Sequence, residues 1–289
     1  MESTSEEHKQ AGAGAEDPYV SKHDRLQTLV DESVKQEWEA EQNRLKLQLI
    51  EDDKFDWVLD LENQDNTTLK RVAAIDISYS KTNEQNAVAA LIVFEYPSMK
   101  VLYEDFEKET TEYPYIPGFL AFKEVPVYSF LFKRLREDKP ELWPEVLLVD
   151  GNGILHTRGF GAASHIGVVM DIPSVGVGKN VFAVDGITQF GVKELCEKTL
   201  LKGGDIQPLV GTSGKTWGIA YRSTDESKNP IIISQGHRVS IETAVKLTKA
   251  CIRKFRIPEP IRQADQKSRT LVREIYDDPK PASKKPGKK

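Results

Sequence analysis

The amino-acid sequence predicts an α/β fold, a mixed central β-sheet flanked by helices on both faces. Two observations carry this expectation. Three short strand-like runs, 72–77 (Val-Ala-Ala-Ile-Asp-Ile), 88–93 (Val-Ala-Ala-Leu-Ile-Val) and Val101 to about Glu107, lie close together between polar or Pro-containing turns, as in an antiparallel meander. Beyond Tyr113, helical and strand-like stretches alternate, as they do where strands are joined through helices.

Taken in order, residues 1 to about 22 are rich in Ser, Glu, Gly and Ala without apolar periodicity. Such a segment buries too little to offset its ordering entropy, and disorder is expected. From about 24 to 50, Leu26, Val30, Val34, Trp38, Leu45 and Leu49 recur at helical spacing, which predicts an amphipathic helix laid on the core with no chemistry of its own. The meander follows. A helix is expected over about 125–137, with Pro126 tolerable only in its first turn. The apolar run 146–149 reads as a buried strand leading straight into Asp150. A helix near 162–170, a strand at 174–177, a helix near 192–200 and strands at 217–221 and 231–234 continue the alternation. Ser240 is placed to cap a last helix whose Ile241, Ala244, Val245, Thr248, Cys251 and Phe255 share a face. The Lys- and Pro-rich end, 277–289, reads as a disordered basic tail, leaving one structured domain over about 24–276.

Composition narrows the class. At 289 residues and 39% hydrophobic content the chain can bury a substantial core. Neither a membrane span nor an apolar signal segment is visible, so an intracellular, membrane-free protein is expected. Cys196 and Cys251 stand outside any metal or redox motif and read as buried thiols. The net charge of −5 does not announce a polyanionic partner, but the ends oppose each other. Residues 1–60 carry sixteen Asp/Glu against seven Lys/Arg, a net of −9; residues 251–289 carry twelve Lys/Arg against five Asp/Glu, a net of +7. The basic end is open to two readings, a solvated tail and a tail that follows phosphates.

The chemistry-bearing residues interrupt apolar strands. Asp76 sits inside one and Asp150 at the carboxyl end of another, directly before Gly151-Asn152-Gly153. A carboxylate near a core requires a hydrogen bond, an ion pair or a metal. Two such acids on one sheet suit Mg²⁺, which takes hard oxygen ligands; a strand-end Asp capping a turn is the plainer alternative. Three motifs surround the pair. The run 113–124 (Tyr-Pro-Tyr-Ile-Pro-Gly-Phe-Leu-Ala-Phe-Lys-Glu) uses two prolines to stiffen a loop around an aromatic ring. The run 148–179 clusters glycines with His156, Arg158, His165 and Lys179. The run 234–240 (Ser-Gln-Gly-His-Arg-Val-Ser) puts His237 at a strand-to-helix junction.

With Asp76 in Ala74-Ile75-Asp76-Ile77-Ser78, these motifs resemble the endonuclease V family in order and spacing across about residues 65–266. The runs 150–156, 255–260 and 262–265 are similar to its eukaryotic branch. The resemblance implies an RNase H-like fold and an endonuclease V catalytic domain over 24–276. It implies Asp76, Glu124 and Asp150 as metal ligands, with Lys179 and His237 completing the catalytic set and His237 orienting or deprotonating the attacking water. Tyr115, with Pro114, Ile116 and Pro117, matches the wedge that fills the gap left by a turned-out base. Gly118, Leu120, Gly151, Gly161, Ala162 and Gly176 match the inosine pocket, whose backbone amides and small residues would accept hypoxanthine and exclude the amine of guanine. His156 and His165 are equally open to structural and catalytic roles.

The implied activity is Mg²⁺-dependent cleavage of inosine-containing nucleic acid at the second phosphodiester bond 3′ to inosine, with Mn²⁺ as a substitute ion. The resemblance to the eukaryotic-type members, which favour single-stranded RNA where bacterial members act on DNA, implies RNA ahead of deoxyinosine-containing DNA, with a 2′-OH beside the scissile bond adding a contact. A deoxyinosine repair enzyme, a non-cleaving inosine reader and a structure-directed nuclease of the same fold are the alternatives. A monomer resident in cytoplasm and nucleus, including the nucleolus, is expected.

Overall fold

The computed structural model describes residues 32–110 and 116–278. Fourteen principal elements make one layered unit: α1 (Glu32–Lys46), β1 (Arg71–Tyr79), β2 (Asn86–Glu95), β3 (Val101–Thr110), α2 (Leu120–Asp138), β4 (Val146–Val149), α3 (Ala162–Met170), β5 (Ser174–Gly178), α4 (Gln189–Thr199), β6 (Ile206–Val210), β7 (Thr216–Tyr221), β8 (Ile231–His237), α5 (Ile241–Cys251) and α6 (Glu259–Val272).

The eight strands form one sheet in the order β3-β2-β1-β4-β5-β8-β7-β6. β1, β2 and β3 pair antiparallel, as the short polar connections require, while β4 joins β1 and β5 in parallel through helical crossovers. β8, β7 and β6 return antiparallel. Both sheet faces are covered. Side chains alternate along β1, so Val72 and Ala74 pack in one core cluster with Leu247, Cys251, Ile261 and Ala264 of α5 and α6. Ala73 and Ile75 pack in the other, with Val125, Leu131 and Phe132 of α2 and Ala163 and Ile166 of α3. Among the described residues no helix is long and apolar enough to cross a membrane. Cys196 and Cys251 are free and buried.

Four elements differ from the sequence expectation, each for a physical reason. α2 begins five residues before Val125 and carries Pro126 in its interior. The lost backbone hydrogen bond is outweighed by the apolar face of Val125, Val127, Tyr128, Leu131 and Phe132, and Glu124 thereby becomes a helical residue. The helix capped by Ser240, whose side chain accepts from Thr243 N, stops at Cys251. It is not the last. α6 follows, and it escapes a hydrophobicity reading because its buried positions include Pro260, Ala264 and Ser268. Strand β6 was equally silent, being an edge strand with Ile206 and Val210 exposed and Pro208 within it. At the chain's end, order extends past 276: the Asp277 carboxylate accepts from Ser80 Oγ at 2.6 Å and Lys81 N at 3.1 Å, so Asp277 belongs to the folded domain and not to the tail expected from 277. The segments 1–22 and 279–289 lie outside the described residues.

Candidate active site

The carboxyl ends of the parallel strands supply the site. Strand alternation turns Asp76 toward α6, where its Oδ2 accepts from Ser268 Oγ at 2.6 Å. Burial raises the Asp76 carboxyl to about 6, against the pull of Ser268 and with a push from Asp150 and Asp265. Glu124, brought over from the first turns of α2, is raised further, to about 8, first by burial and then by the Asp76 charge. Asp150 follows the last residue of β4, and its Oδ2 accepts from Lys179 Nζ at 2.7 Å, Lys179 following the last residue of β5. Thus Asp76, Glu124, Asp150 and Lys179 share one cleft. Asp265 was missed as a site residue. It belongs to the unpredicted helix, one turn before Ser268, and its charge reaches Asp76.

Donor chemistry in this cleft fits a divalent cation. Carboxylates that repel one another and hold protons well above their usual range are the groups a hard cation stabilises. Asp76, Glu124 and Asp150 would hold it, with Asp265 flanking. Among the described residues no three of these groups converge closely enough to form a ready-made cage.

A cavity of about 220 Å³ adjoins Asp150. It is smaller than the hundreds of cubic ångströms typical of drug-sized ligands and suits one planar heterocycle. Gly118, Leu120, Gly151, Gly161 and Ala162 line it, as expected, together with Gln42, Asn152, His156 and Phe182. Gly176 does not line it. A Cβ there would stand 2.5 Å from Gly153 N and 2.6 Å from Gly151 O, so Gly176 serves the close approach of β5 to the turn after Asp150. Gly118, at φ +83°, closes the wall in a conformation few side chains tolerate. Asn152 Oδ1 is buried without a donor at this wall, while its Nδ2 donates to Asn180 O at 3.0 Å.

Three further expectations change. α1 does contribute: the Gln42 amide accepts from Arg158 Nε and donates to Phe160 O at 2.7 Å, and Arg158 Nη2 donates to Gly118 O at 2.7 Å, tying helix, loop and cavity together. Of the expected wedge, Pro114 and Tyr115 lie outside the described residues. The Ile116 side chain is buried with Phe119 against Val34 and Trp38. His156 and His165 are both pushed down to about 4, chiefly by burial. Neutral at physiological pH, they brace the wall, His156 against Phe182 and His165 edge-on to Phe122.

His237 is the largest correction. It pairs with Ser174, the first residue of β5, whereas Lys179 follows the last. Five residues of extended strand, roughly 16 Å, therefore separate its position from the Lys179 end. There His237 Nδ1 accepts from Ile50 N at 3.3 Å and Nε2 faces Asp171 Oδ1 at 3.7 Å. It cannot serve water at the acidic cleft. The signal that would have shown this was register: a strand running on to His237 antiparallel to β5 must carry the histidine away from Asp150.

With this geometry in place, comparison with known proteins is decisive. The sequence profile described as Endonuclease V matches residues 53–266. The chain belongs to the endonuclease V family. It is 46% identical to mouse Endonuclease V over 236 residues, 82% of this chain and 69% of the mouse protein. It is 45% identical to the human protein over 244 residues, 84% and 85% of the two chains. The crystal structure of the human catalytic domain superposes with a TM-score of 0.78 at 44% identity, covering 85% of this chain and 98% of that one. A Ciona intestinalis Endonuclease V, crystallised in complex with a 24mer DNA containing an inosine followed by a ribo-adenosine, superposes with a TM-score of 0.77 at 34% identity, covering 85% of this chain and 100% of that one. Membership makes this chain an endonuclease of RNase H-like fold, and the endonuclease V family is metal-dependent.

Proposed function

We propose that this endonuclease uses Mg²⁺ to cleave inosine-containing strands at the second phosphodiester bond 3′ to inosine, with single-stranded RNA preferred over DNA. The observation that carries the reading is the juxtaposition of a mutually repelling acid cluster with a base-sized, glycine-walled cavity that share Asp150. When bound, the metal would polarise the scissile phosphate and acidify a water. Lys179, already beside Asp150, neutralises charge developing on the phosphorane. Ser268 holds Asp76 in place, and water activation falls to the carboxylate end, since His237 is remote. The glycine-walled cavity limits what size of turned-out base can enter.

The Ciona complex, whose DNA strand carries a ribo-adenosine directly after inosine, supports a ribose preference next to the lesion. Matched inosine RNA and DNA strands, incubated with Mg²⁺, with Mn²⁺ and with EDTA, test the reading. RNA cleavage two linkages from inosine, lost in EDTA, is expected. Exclusive DNA cutting would reverse the sugar preference, binding without cutting would make the protein an inosine reader, and equal cutting of inosine-free strands would remove the base pocket from the account. Residence of the enzyme in cytoplasm and nucleus and action as a monomer complete the proposal.

A further inference from the structure

A second, larger cavity of about 570 Å³ continues from the first, the two sharing Lys179 and Asn180. It lies at the mouth between the end of β5 and the start of β8, on the side of Lys179 away from Asp150 and Asp76. Its depth is apolar, with Val181, Val192 and Ile232 in the wall. Its rim is cationic: Lys179, Lys193, Lys228 and Arg256 stand against one carboxylate, Glu197. This bias is notable in a chain whose net charge is −5.

Lys179 is paired with Asp150, but the two outer lysines are not used up by internal pairing. Lys193 and Lys228 are exposed, and neither enters an ion pair among the described residues, although Glu197 lies one helical turn from Lys193. Arg256 has a different part. Its Nη1 donates to Pro230 O at 3.1 Å, which fixes the loop carrying Lys228 as one bank of the groove. On the other bank, the Gln189 side chain accepts from Val181 N at 2.6 Å and docks the start of α4 on the segment after Lys179.

We infer that this groove holds the single strand beyond the reacting nucleotides, with Lys193 and Lys228 on consecutive backbone phosphates and the apolar depth against one flanking nucleoside. The inference rests on the nuclease reading, which supplies the strand. A polyanion crossing the acidic cleft is repelled there until a metal is bound, and a basic groove in line with Lys179 offsets that repulsion without entering the chemistry. An apolar bed with a cationic rim is also the arrangement that holds single strands without reading sequence.

The experiment compares an inosine RNA trimmed close to the lesion with the same RNA extended by about six nucleotides on its 5′ or its 3′ side. Affinity and cleavage are measured across salt for wild type, the Lys193→Gln/Lys228→Gln protein and the Lys193→Arg/Lys228→Arg protein. One of the two extensions should tighten binding by wild type, and that gain should vanish in the Gln protein and return in the Arg protein. Two lost phosphate contacts on a single strand should flatten the slope of log affinity against log salt by about 1.4. A fourfold rise in salt then costs the Gln protein about sevenfold less affinity than wild type. An unchanged slope and a retained extension gain would overturn the groove. So would equal weakening on the trimmed strand, which would indicate long-range attraction instead of a seated flank. If wild type neither binds nor cuts any of the inosine strands, the nuclease reading fails and takes the groove with it, an outcome distinct from loss of the extension gain alone.

Discussion

The two ends of the parallel strands contain the same kinds of group and treat them oppositely. At the end that starts β5, every polar atom named has its complement: Ser174 Oγ donates to Ala163 O and accepts from His237 N, and His237 Nδ1 accepts from Ile50 N. At the end that finishes β4 and β5, burial and neighbouring carboxylates hold the protons of Asp76 and Glu124 well above the usual carboxylate range, even though Ser268 Oγ donates to Asp76 and Lys179 Nζ to Asp150. The first end is satisfied and stabilises the fold. The second is left electrostatically strained, which is what a site awaiting a cation and a phosphate looks like. The contrast also explains why a histidine beside a carboxylate is here a brace, while carboxylates beside one another are the chemistry.

The largest expected effect separates the ends by activity. Asp76→Asn or Asp150→Asn should lower cleavage of inosine RNA by at least about a hundredfold, since each removes a carboxylate that would hold the cation. His237→Gln should leave cleavage near wild type and cost about 1–3 kcal/mol of stability, read as a urea midpoint shift. Loss of cutting in a well-folded His237→Gln protein would return that residue to the mechanism and collapse the contrast.

Next comes the base pocket on the acidic side. Gly151 lines the cavity, and a Cβ there meets nothing closer than Ala162 Cβ at 3.4 Å. Gly151→Ala should therefore fold normally but weaken discrimination for inosine by roughly ten- to a hundredfold, measured against inosine-free competitors. Unchanged discrimination would place the base elsewhere.

The smallest effects sharpen the comparison through pH. Asp76 and Glu124 keep their protons in the folded state to about 6 and about 8, against 3.8 and 4.5 unfolded. The folded state thus binds more protons, and without metal this end loses stability as pH rises from about 4 to 8. His237, lowered by burial, does the reverse: the unfolded chain takes the proton first, so stability falls as pH drops below 6.5. Metal-free Glu124→Gln should be more stable than wild type at pH 8 while cutting poorly, and Mg²⁺ should raise the wild-type midpoint at that pH. A Glu124→Gln protein that is destabilised at pH 8 would show that the acidic end is not strained.

Much of this was legible in the chain itself. Apolar runs, turn residues and Ser240 place most strands and helices within a few positions, because burial on a two-residue or 3.6-residue period is a local property. Asp76 and Asp150 announce themselves because a charge inside an apolar run has no cheap local solution. The tertiary structure decided the rest. α6 has a buried face that includes Pro, Ala and Ser, so only its packing on β1 reveals that Ser268 and Asp265 belong beside Asp76. Pro126 forbids nothing once five apolar neighbours hold α2 in place. His237 sits in a family-like motif, yet strand direction, a property of pairing between distant segments, carries it to the far end of the sheet. Local patterning determined which residues could do chemistry; register and packing determined which of them meet.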